Sequence, residues 1–132
     1  MGFTASAATD ILSSHISANT YVGLSTTVPT DSGGNFTEPS SSSGYERSKF
    51  GEVDTSIPAQ IANKKIIFFN ESLGLGYGEV SYFGLFNSAT GSTPFFVGHL
   101  ETRLTIGAGY VPIFRAHQLI IGLDKAELES YG

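Results

Sequence analysis

Histidine and carboxylate side chains are the residues of this sequence that could bind a metal ion or transfer protons. The three histidines are His15, His99 and His117, and they share no spacing typical of metal ligands. A metal site would require the fold to bring them together with carboxylates such as Glu101 or Asp124. We therefore predict no metal site and no cofactor, and we expect His99 and His117 to be strand residues with polar tips at a surface or interface.

Paired carboxylates are a second possible source of chemistry, because glycoside hydrolysis uses two of them at a fixed separation. The candidates are Glu46, Glu52, Asp54 and Glu71. Each is better explained as a solvated charge at a strand edge or in a loop. Nucleophile-elbow, phosphate-loop and zinc motifs are absent from the sequence. We predict that the protein is not an enzyme.

Composition indicates a single β-rich domain. The chain has 132 residues, 40% hydrophobic and 14% charged, enough to bury a core and too apolar for a disordered chain. Sixteen glycines, ten phenylalanines and six tyrosines favour strands and turns over helices. Seven basic residues and a net charge of −5 argue against nucleic-acid binding. No apolar stretch is long enough for membrane insertion.

The N-terminal segment has the periodicity of a short amphipathic helix. The pattern predicts a helix from Ala5 to Ala18, with Thr4 as its N-cap and Asn19 at its end. The face of this helix comprises Ala8, Ile11, Leu12, His15 and Ile16. It can pack on its own domain or on a neighbouring subunit, and both readings stay open. We divide the chain into a helical arm, residues 1–19, and a β-sandwich domain, residues 20–132.

The remainder of the chain alternates short apolar runs with turn residues. Strands are predicted at residues 21–24, 45–50, 64–69, 80–86, 94–100, 110–114 and 117–123. This pattern predicts an all-β fold, an antiparallel β-sandwich of about seven or eight strands with a short N-terminal α-helix. Residues 80–86 should form the central strand and pair with 94–100 as a hairpin.

Three connections are predicted to be exposed. The first spans residues 31–44 and is rich in serine and glycine, which is typical of a loop that is mobile or ordered only by a partner. The second is the turn at Gly74, Gly76 and Gly78, with Tyr77 in it, and the third is the hairpin tip at residues 87–92. Residues 124–132 should fray or form one helical turn.

An ordered series of motifs covers nearly the whole chain. The motifs are residues 21–30 (YVGLSTTVPT), 44–47 (GYER), 66–69 (IIFF), 78–91 (GEVSYFGLFNSATG), 98–100 (GHL) and the apolar strand 119–123. In this order they resemble a family of small phage tail-fibre-like virion proteins, which open with an amphipathic helix. The sequence departs from the family pattern at Tyr77-Gly78, where Trp-Gly is frequent, and at Asn70, where proline is common.

The resemblance implies a non-enzymatic structural component of a bacteriophage virion, located at the tail tip, baseplate or fibre and assembled in the host cytoplasm. We expect it to assemble with copies of itself, as a trimer or ring, and with other virion structural proteins. Candidate interface residues on the helix are Ile11, Leu12 and Ile16. An alternative function is recognition of a host-surface glycan or protein by the residues Asn35, Phe36, Tyr77, Asn87 and Thr90. A further alternative is a capsid decoration protein or head fibre.

Overall fold

The computed structural model describes residues 4–122, which contain one α-helix and nine strands. The elements are α1 Ala5–His15, β1 Tyr21–Ser25, β2 Ser48–Lys49, β3 Val53–Asp54, β4 Gln60–Asn63, β5 Ile67–Phe68, β6 Gly78–Phe86, β7 Phe96–Ile106, β8 Ile113–Phe114 and β9 Ile120–Gly122. Every strand pair is antiparallel. The predicted all-β class with a short N-terminal helix is therefore confirmed.

The main sheet has four strands in the order β2-β1-β6-β7. Strand β6 lies between β1 and β7, which confirms that residues 80–86 form a central strand. Strands β6 and β7 pair as the predicted hairpin, although β7 continues to Ile106. A shift of register between Val80 and Tyr82 interrupts this ladder. Such an irregularity bends and twists the strand pair locally.

Two smaller sheets complete the fold, with the orders β3-β4-β9 and β5-β8. Strands β3 and β4 lie between the predicted strands 45–50 and 64–69, where the sequence predicted no strand. Strand β4 contains glutamine, alanine and asparagine, which have weak strand preference. The predicted strands 45–50 and 64–69 are reduced to the two-residue strands β2 and β5. Strand β9 covers part of the predicted strand 117–123, and residue 123 and the tail 124–132 lie outside the described residues.

Helix α1 begins as predicted, and it packs on its own domain. The Thr4 side chain accepts a hydrogen bond from the Ala7 backbone N–H, at 3.2 Å, which confirms the N-cap. The helix ends at His15 and not at Ala18, since Ile16 has extended backbone angles. The helix lies against β4, and the Thr9 hydroxyl accepts a hydrogen bond from the Ala59 backbone N–H at 2.9 Å. The sequence left open whether this helix packs on its own domain or on a neighbouring subunit, and the structure shows packing on its own domain.

One hydrophobic core joins the helix and all three sheets. Its buried members are Leu12, Ile16, Val22, Leu24, Tyr45, Phe50, Ile61, Ile67, Phe69, Tyr77, Val80, Phe83, Leu85, Ile106, Leu119 and Ile121. Asn63 is fully buried near it, where its side chain donates to the carbonyls of Lys65 and Arg115 and accepts from the Leu119 N–H. Because these bonds satisfy the buried amide, Asn63 holds the chain before β9 against β4 at little cost.

Candidate functional site

A salt bridge between Glu38 and Arg47 lies beside the edge of the main sheet. The Arg47 Nε donates to Glu38 Oε1 and the Arg47 Nη2 donates to Glu38 Oε2, both at 2.9 Å. The Arg47 side chain is only 5% exposed, whereas Glu38 is 24% exposed. Bidentate pairing of this kind fixes both the position and the orientation of the carboxylate. Glu38 was not among the residues that the sequence singled out.

Strand β6 and the loop after it position the arginine. The guanidinium carbon of Arg47 lies 3.4 Å from the centroid of the Phe86 ring, and the Arg47 Nη1 donates to the Ser88 carbonyl at 3.0 Å. Stacking of a guanidinium on an aromatic face is favourable. Arg47 therefore links the 31–44 loop to the end of β6.

Tyr45 holds the same carboxylate from the side of the core. Its hydroxyl donates to Glu38 Oε1 at 2.6 Å and accepts from the Leu24 N–H at 3.0 Å. Burial raises the pKa of the Tyr45 phenol, and the hydrogen bond to Glu38 raises it further. The phenol is therefore a permanent donor to Glu38 at neutral pH.

Gly23 leaves the space in which these groups meet. A methyl group on Gly23 would lie 2.8 Å from Glu38 Oε1 and 2.9 Å from the Phe86 ring. Contacts that short would force the ion pair or the ring to move. The glycine of the YVGLS segment is thus explained by close side-chain approach rather than by backbone freedom.

The 31–44 loop is held by its own chain. The buried Ser25 hydroxyl accepts hydrogen bonds from the backbone N–H groups of Thr27, at 3.2 Å, and Thr37, at 3.1 Å. The Thr26 N–H donates to the Thr37 carbonyl at 2.9 Å, and the Asn35 side chain donates to the Val28 carbonyl at 2.8 Å. β1 and the segment after it supply these hydrogen bonds, so the loop has partners within its own chain.

A surface cleft of about 660 Å³ opens beside Glu38. We call it the Glu38 cleft. Its lining residues are Tyr21, Glu38, Pro39, Ser41, Gly44, Tyr45, Glu46, Arg47, Ala89, Thr90 and Gly91. Its volume lies within the range of about 300–1,000 Å³ common for small-molecule sites. The residues come from Tyr21 in β1, from the continuous segment formed by the 31–44 loop and the GYER motif, and from the hairpin tip, which is about 40 residues further along the sequence.

The five predicted recognition residues have different surroundings. Thr90 lines the Glu38 cleft, and Asn87 is exposed three residues earlier in the same hairpin tip. The exposed Asn35 uses its side chain to close the loop. Phe36 is half-buried, with its ring edge-on to Phe86 and 5.3 Å from it between centroids.

Tyr77 differs more from its predicted exposed position than the other four residues do. It does lie in the connection before β6, but its side chain is buried in the core at 4% exposure. Its hydroxyl donates to the Asn70 carbonyl, and its ring meets that of Tyr45 edge-on. Burial raises the pKa of Tyr77, and the nearby Glu46 carboxylate adds to this effect. A ring in this position is not available to a ligand at the surface.

The predicted interface residues of the helix are mostly used within the chain. Leu12 and Ile16 are members of the core, and Ile11 is half-buried. This leaves Ile11 as the member of the set that a neighbouring subunit can reach. Their role in assembly stays a prediction.

An apolar surface that the sequence did not single out lies at the turn before β6. Leu75 is 100% exposed between Gly74 and Gly76, both of which have positive φ angles. Leu73 in the same turn is also exposed, as are Tyr110 and Val111 in the segment before β8. The Ser72 N–H donates to the Tyr110 carbonyl, at 2.9 Å, which holds these two segments together. We call Leu73, Leu75, Tyr110 and Val111 the Leu75 surface.

Two of the residues considered for metal or hydrolytic chemistry lie close together in the structure. His117 contacts Asp54, with 2.6 Å between Nε2 and Oδ2, and Glu52 pairs loosely with Lys65 at 3.7 Å. Hydrogen bonds from Ser56, and then the contact with His117, hold the pKa of Asp54 below its usual value. Among residues 4–122, no three histidine or acidic side chains lie close enough together to bind one metal ion. Asp124 is outside this range.

The segments that form the cleft lie within a region of the chain that matches a model of a known protein family. No helix within the described part of the chain is both long and apolar enough to cross a membrane. No curated protein matches the chain. The family model described as "Podophage GP4 fiber I protein gp80" matches residues 10–122. This match covers the second half of the helix, the three sheets and the Glu38 cleft, and the chain therefore belongs to this family of phage fibre proteins.

Proposed function

We propose that this protein is a non-enzymatic structural module of a phage fibre, associated with the tail tip or baseplate, that assembles with copies of itself. Family membership supports a structural component of the virion, and such a component associates with other virion proteins. The observation on which self-assembly rests is the Leu75 surface. Strand faces and Ile11 on the helix are the further contact surfaces in this proposal.

Contiguous exposed apolar side chains on a soluble domain mark interaction sites. Leu75 lies at the tip of a turn, where it makes few contacts within its own chain. The turn itself is well anchored, because the Gly76 N–H donates to Leu73 and the Tyr77 N–H donates to Ile106, both at 2.9 Å. A rigid turn presents Leu75 without the entropic cost of ordering a loop on binding.

Sedimentation velocity of the purified protein over a wide concentration range tests self-assembly. We expect a trimer or closed ring for the natural sequence and a dissociation constant at least about tenfold weaker for Leu75→Asn. Val28→Thr is the matched control, since Val28 is also exposed but lies outside the Leu75 surface. A natural protein that stays monomeric at the highest concentration contradicts self-assembly, and equal weakening by both variants contradicts the role of Leu75.

Immunogold electron microscopy of phage particles tests the position on the virion. We expect gold at one end of the tail. Gold spread over the capsid would instead identify a decoration protein or head fibre, and unlabelled particles would contradict a virion role.

The non-enzymatic part of the proposal is supported by how the cleft carboxylate is used. Both oxygens of Glu38 accept hydrogen bonds from Arg47, and one also accepts from Tyr45. A carboxylate whose oxygens already accept three hydrogen bonds from the protein has fewer lone pairs free for attack on a substrate. An assay for release of reducing sugar from host polysaccharide checks this, and we expect none.

Recognition of a host-surface molecule is a second candidate function, favoured by the Glu38 cleft. The cleft joins an anchored loop to the hairpin tip, and binding sites are common where loops meet on a rigid scaffold. Binding of the labelled protein to the host envelope tests it, with saturable binding expected.

A further inference from the structure

We propose that the Glu38 cleft binds a neutral pyranose glycan. This inference rests on the second function proposed above, recognition of a host-surface molecule. The cleft combines a fixed carboxylate, an aromatic side chain and a hydroxyl at its walls.

The carboxylate of Glu38 is preorganised to accept hydrogen bonds from a ligand. Arg47 and Tyr45 hold it from the protein side with distances of 2.9, 2.9 and 2.6 Å, while 24% of the side chain remains exposed. A carboxylate oxygen has two lone pairs, and Oε2 accepts only one of these bonds. Oε2 can therefore accept from a ligand hydroxyl with no loss of its bond to Arg47.

Tyr21 and Thr90 supply the contacts that a sugar ring needs in addition. Tyr21 lines the cleft and is half-buried in β1. Aromatic rings offer large, rigid apolar surface with little loss of entropy on binding. Thr90 lies in the hairpin tip and brings a hydroxyl that both donates and accepts. Exposed backbone at Ala89 and Gly91 lies beside it.

The charge of the cleft favours a neutral ligand over an anionic one. The positive charge of Arg47 is neutralised by Glu38, and its side chain is 5% exposed. Glu46 adds a carboxylate to the wall of the cleft, and the chain as a whole has a net charge of −5. Among the described residues that line the cleft, an acidic sugar would find no cation besides Arg47, which is already paired with Glu38. The volume of about 660 Å³ is that of a site for a small oligosaccharide.

The test uses the full chain and a panel of defined trisaccharides. Maltotriose, mannotriose and raffinose are the neutral probes, and 3′-sialyllactose is the anionic probe. In ¹H–¹⁵N correlation spectra we expect at least one neutral probe to shift saturably the amides of Tyr21, Arg47 and Thr90. The absence of saturable shifts with all three neutral probes would overturn the inference, as would tighter binding of 3′-sialyllactose.

Two substitutions separate the cleft from the rest of the surface. Ala89→Trp fills the cleft from an exposed loop position and leaves the core untouched, and we expect at least about tenfold weaker glycan binding. Ala116→Trp adds the same side chain to an exposed turn elsewhere, and binding should be unchanged. Equal affinity of Ala89→Trp and the natural protein would exclude the cleft as the binding site.

Binding to host-envelope extract separates failure of the inference from failure of the receptor function. We expect binding by the natural protein and its loss in Ala89→Trp. Binding that persists in Ala89→Trp would show that the cleft is not the binding site, while recognition of a host-surface molecule would still be supported. No binding by either protein would overturn both.

Discussion

At the scale of single residues, one network of hydrogen bonds holds the Glu38 carboxylate in position at the cleft. Glu38, Tyr45 and Arg47 are close in the sequence, yet they meet only because Gly23 leaves room for them. Each of the two buried side chains in the network has a polar partner, as buried polar groups require. The network is therefore sensitive to the loss of any one member.

Tyr45→Phe tests this network. It removes the donor to Glu38 and leaves the buried Leu24 N–H without its acceptor, so we expect the free energy of unfolding at pH 7 to fall by about 1–3 kcal/mol. Urea denaturation measures it. Tyr110→Phe, at an exposed position, is the control. Equal midpoints for Tyr45→Phe and the natural protein would contradict the role of the hydroxyl.

The same variant has a predicted alkaline signature. Because folding raises the pKa of Tyr45, its contribution to stability is complete below the ordinary tyrosine pKa of about 10 and is lost as the pH rises above it. Over that range the unfolded chain loses the proton while the folded chain keeps it. Stability of the natural protein should therefore fall more steeply above about pH 10 than that of Tyr45→Phe.

The contribution of Asp54 to folding stability has the opposite dependence on pH. Because folding lowers its pKa, its contribution is complete above the ordinary aspartate value of about 3.9 and is lost as the pH falls through the lower folded value. We expect Asp54→Asn to lose less stability than the natural protein on acidification below about pH 4. Thermal unfolding at a series of pH values measures this. Asp31→Asn, also at the surface, is the control. Identical dependence of stability on acidic pH for Asp54→Asn and the natural protein would contradict the predicted contribution of Asp54.

At the scale of elements, the fold depends on a loop being anchored to a strand. The segment from Thr26 to Thr37 doubles back on itself and is fixed by the last residue of β1, Ser25. Phe36 closes it over β6, where a methyl group on Gly84 would lie 2.8 Å from the Phe36 ring. Glu38 emerges from this segment, so the anchored loop sets the wall of the cleft.

Ser25→Ala tests the anchor. It leaves the amides of Thr27 and Thr37 without their acceptor, and we expect a loss of about 1–3 kcal/mol. Hydrogen exchange should accelerate over residues 26–37 and remain unchanged in β6 and β7. Ser32→Ala, in the exposed part of the same loop, should change neither quantity. Unchanged exchange in Ser25→Ala would show that other contacts hold the loop.

At the scale of the whole molecule, helix and sheets share one core. Leu12 and Ile16 belong to the same buried core as residues of every sheet, such as Leu85, Ile121 and Ile67. The division into a helical arm and a separate sandwich domain predicts independent behaviour of residues 1–19. The shared core predicts a single cooperative transition instead.

Leu12→Ala distinguishes the two descriptions. Loss of a buried leucine from a shared core should cost about 2–5 kcal/mol. The transitions followed by far-ultraviolet circular dichroism and by tyrosine fluorescence should shift together. Ser13→Ala, on the exposed side of the helix, is the control. An unshifted tyrosine transition in Leu12→Ala would support a separable arm.

The sequence by itself determined the class of the protein and its strongly patterned elements. Thr4 marked the helix start, apolar runs marked β1 and β6, and the polar tip marked the β6–β7 hairpin, because capping and periodicity are properties of neighbouring residues. Only the tertiary structure decided that β4 is a strand, that Tyr77 is buried, that Leu75 is exposed and that Glu38 pairs with Arg47. Burial and pairing in these cases depend on which distant segments of the chain come into contact, and the local sequence does not determine those contacts.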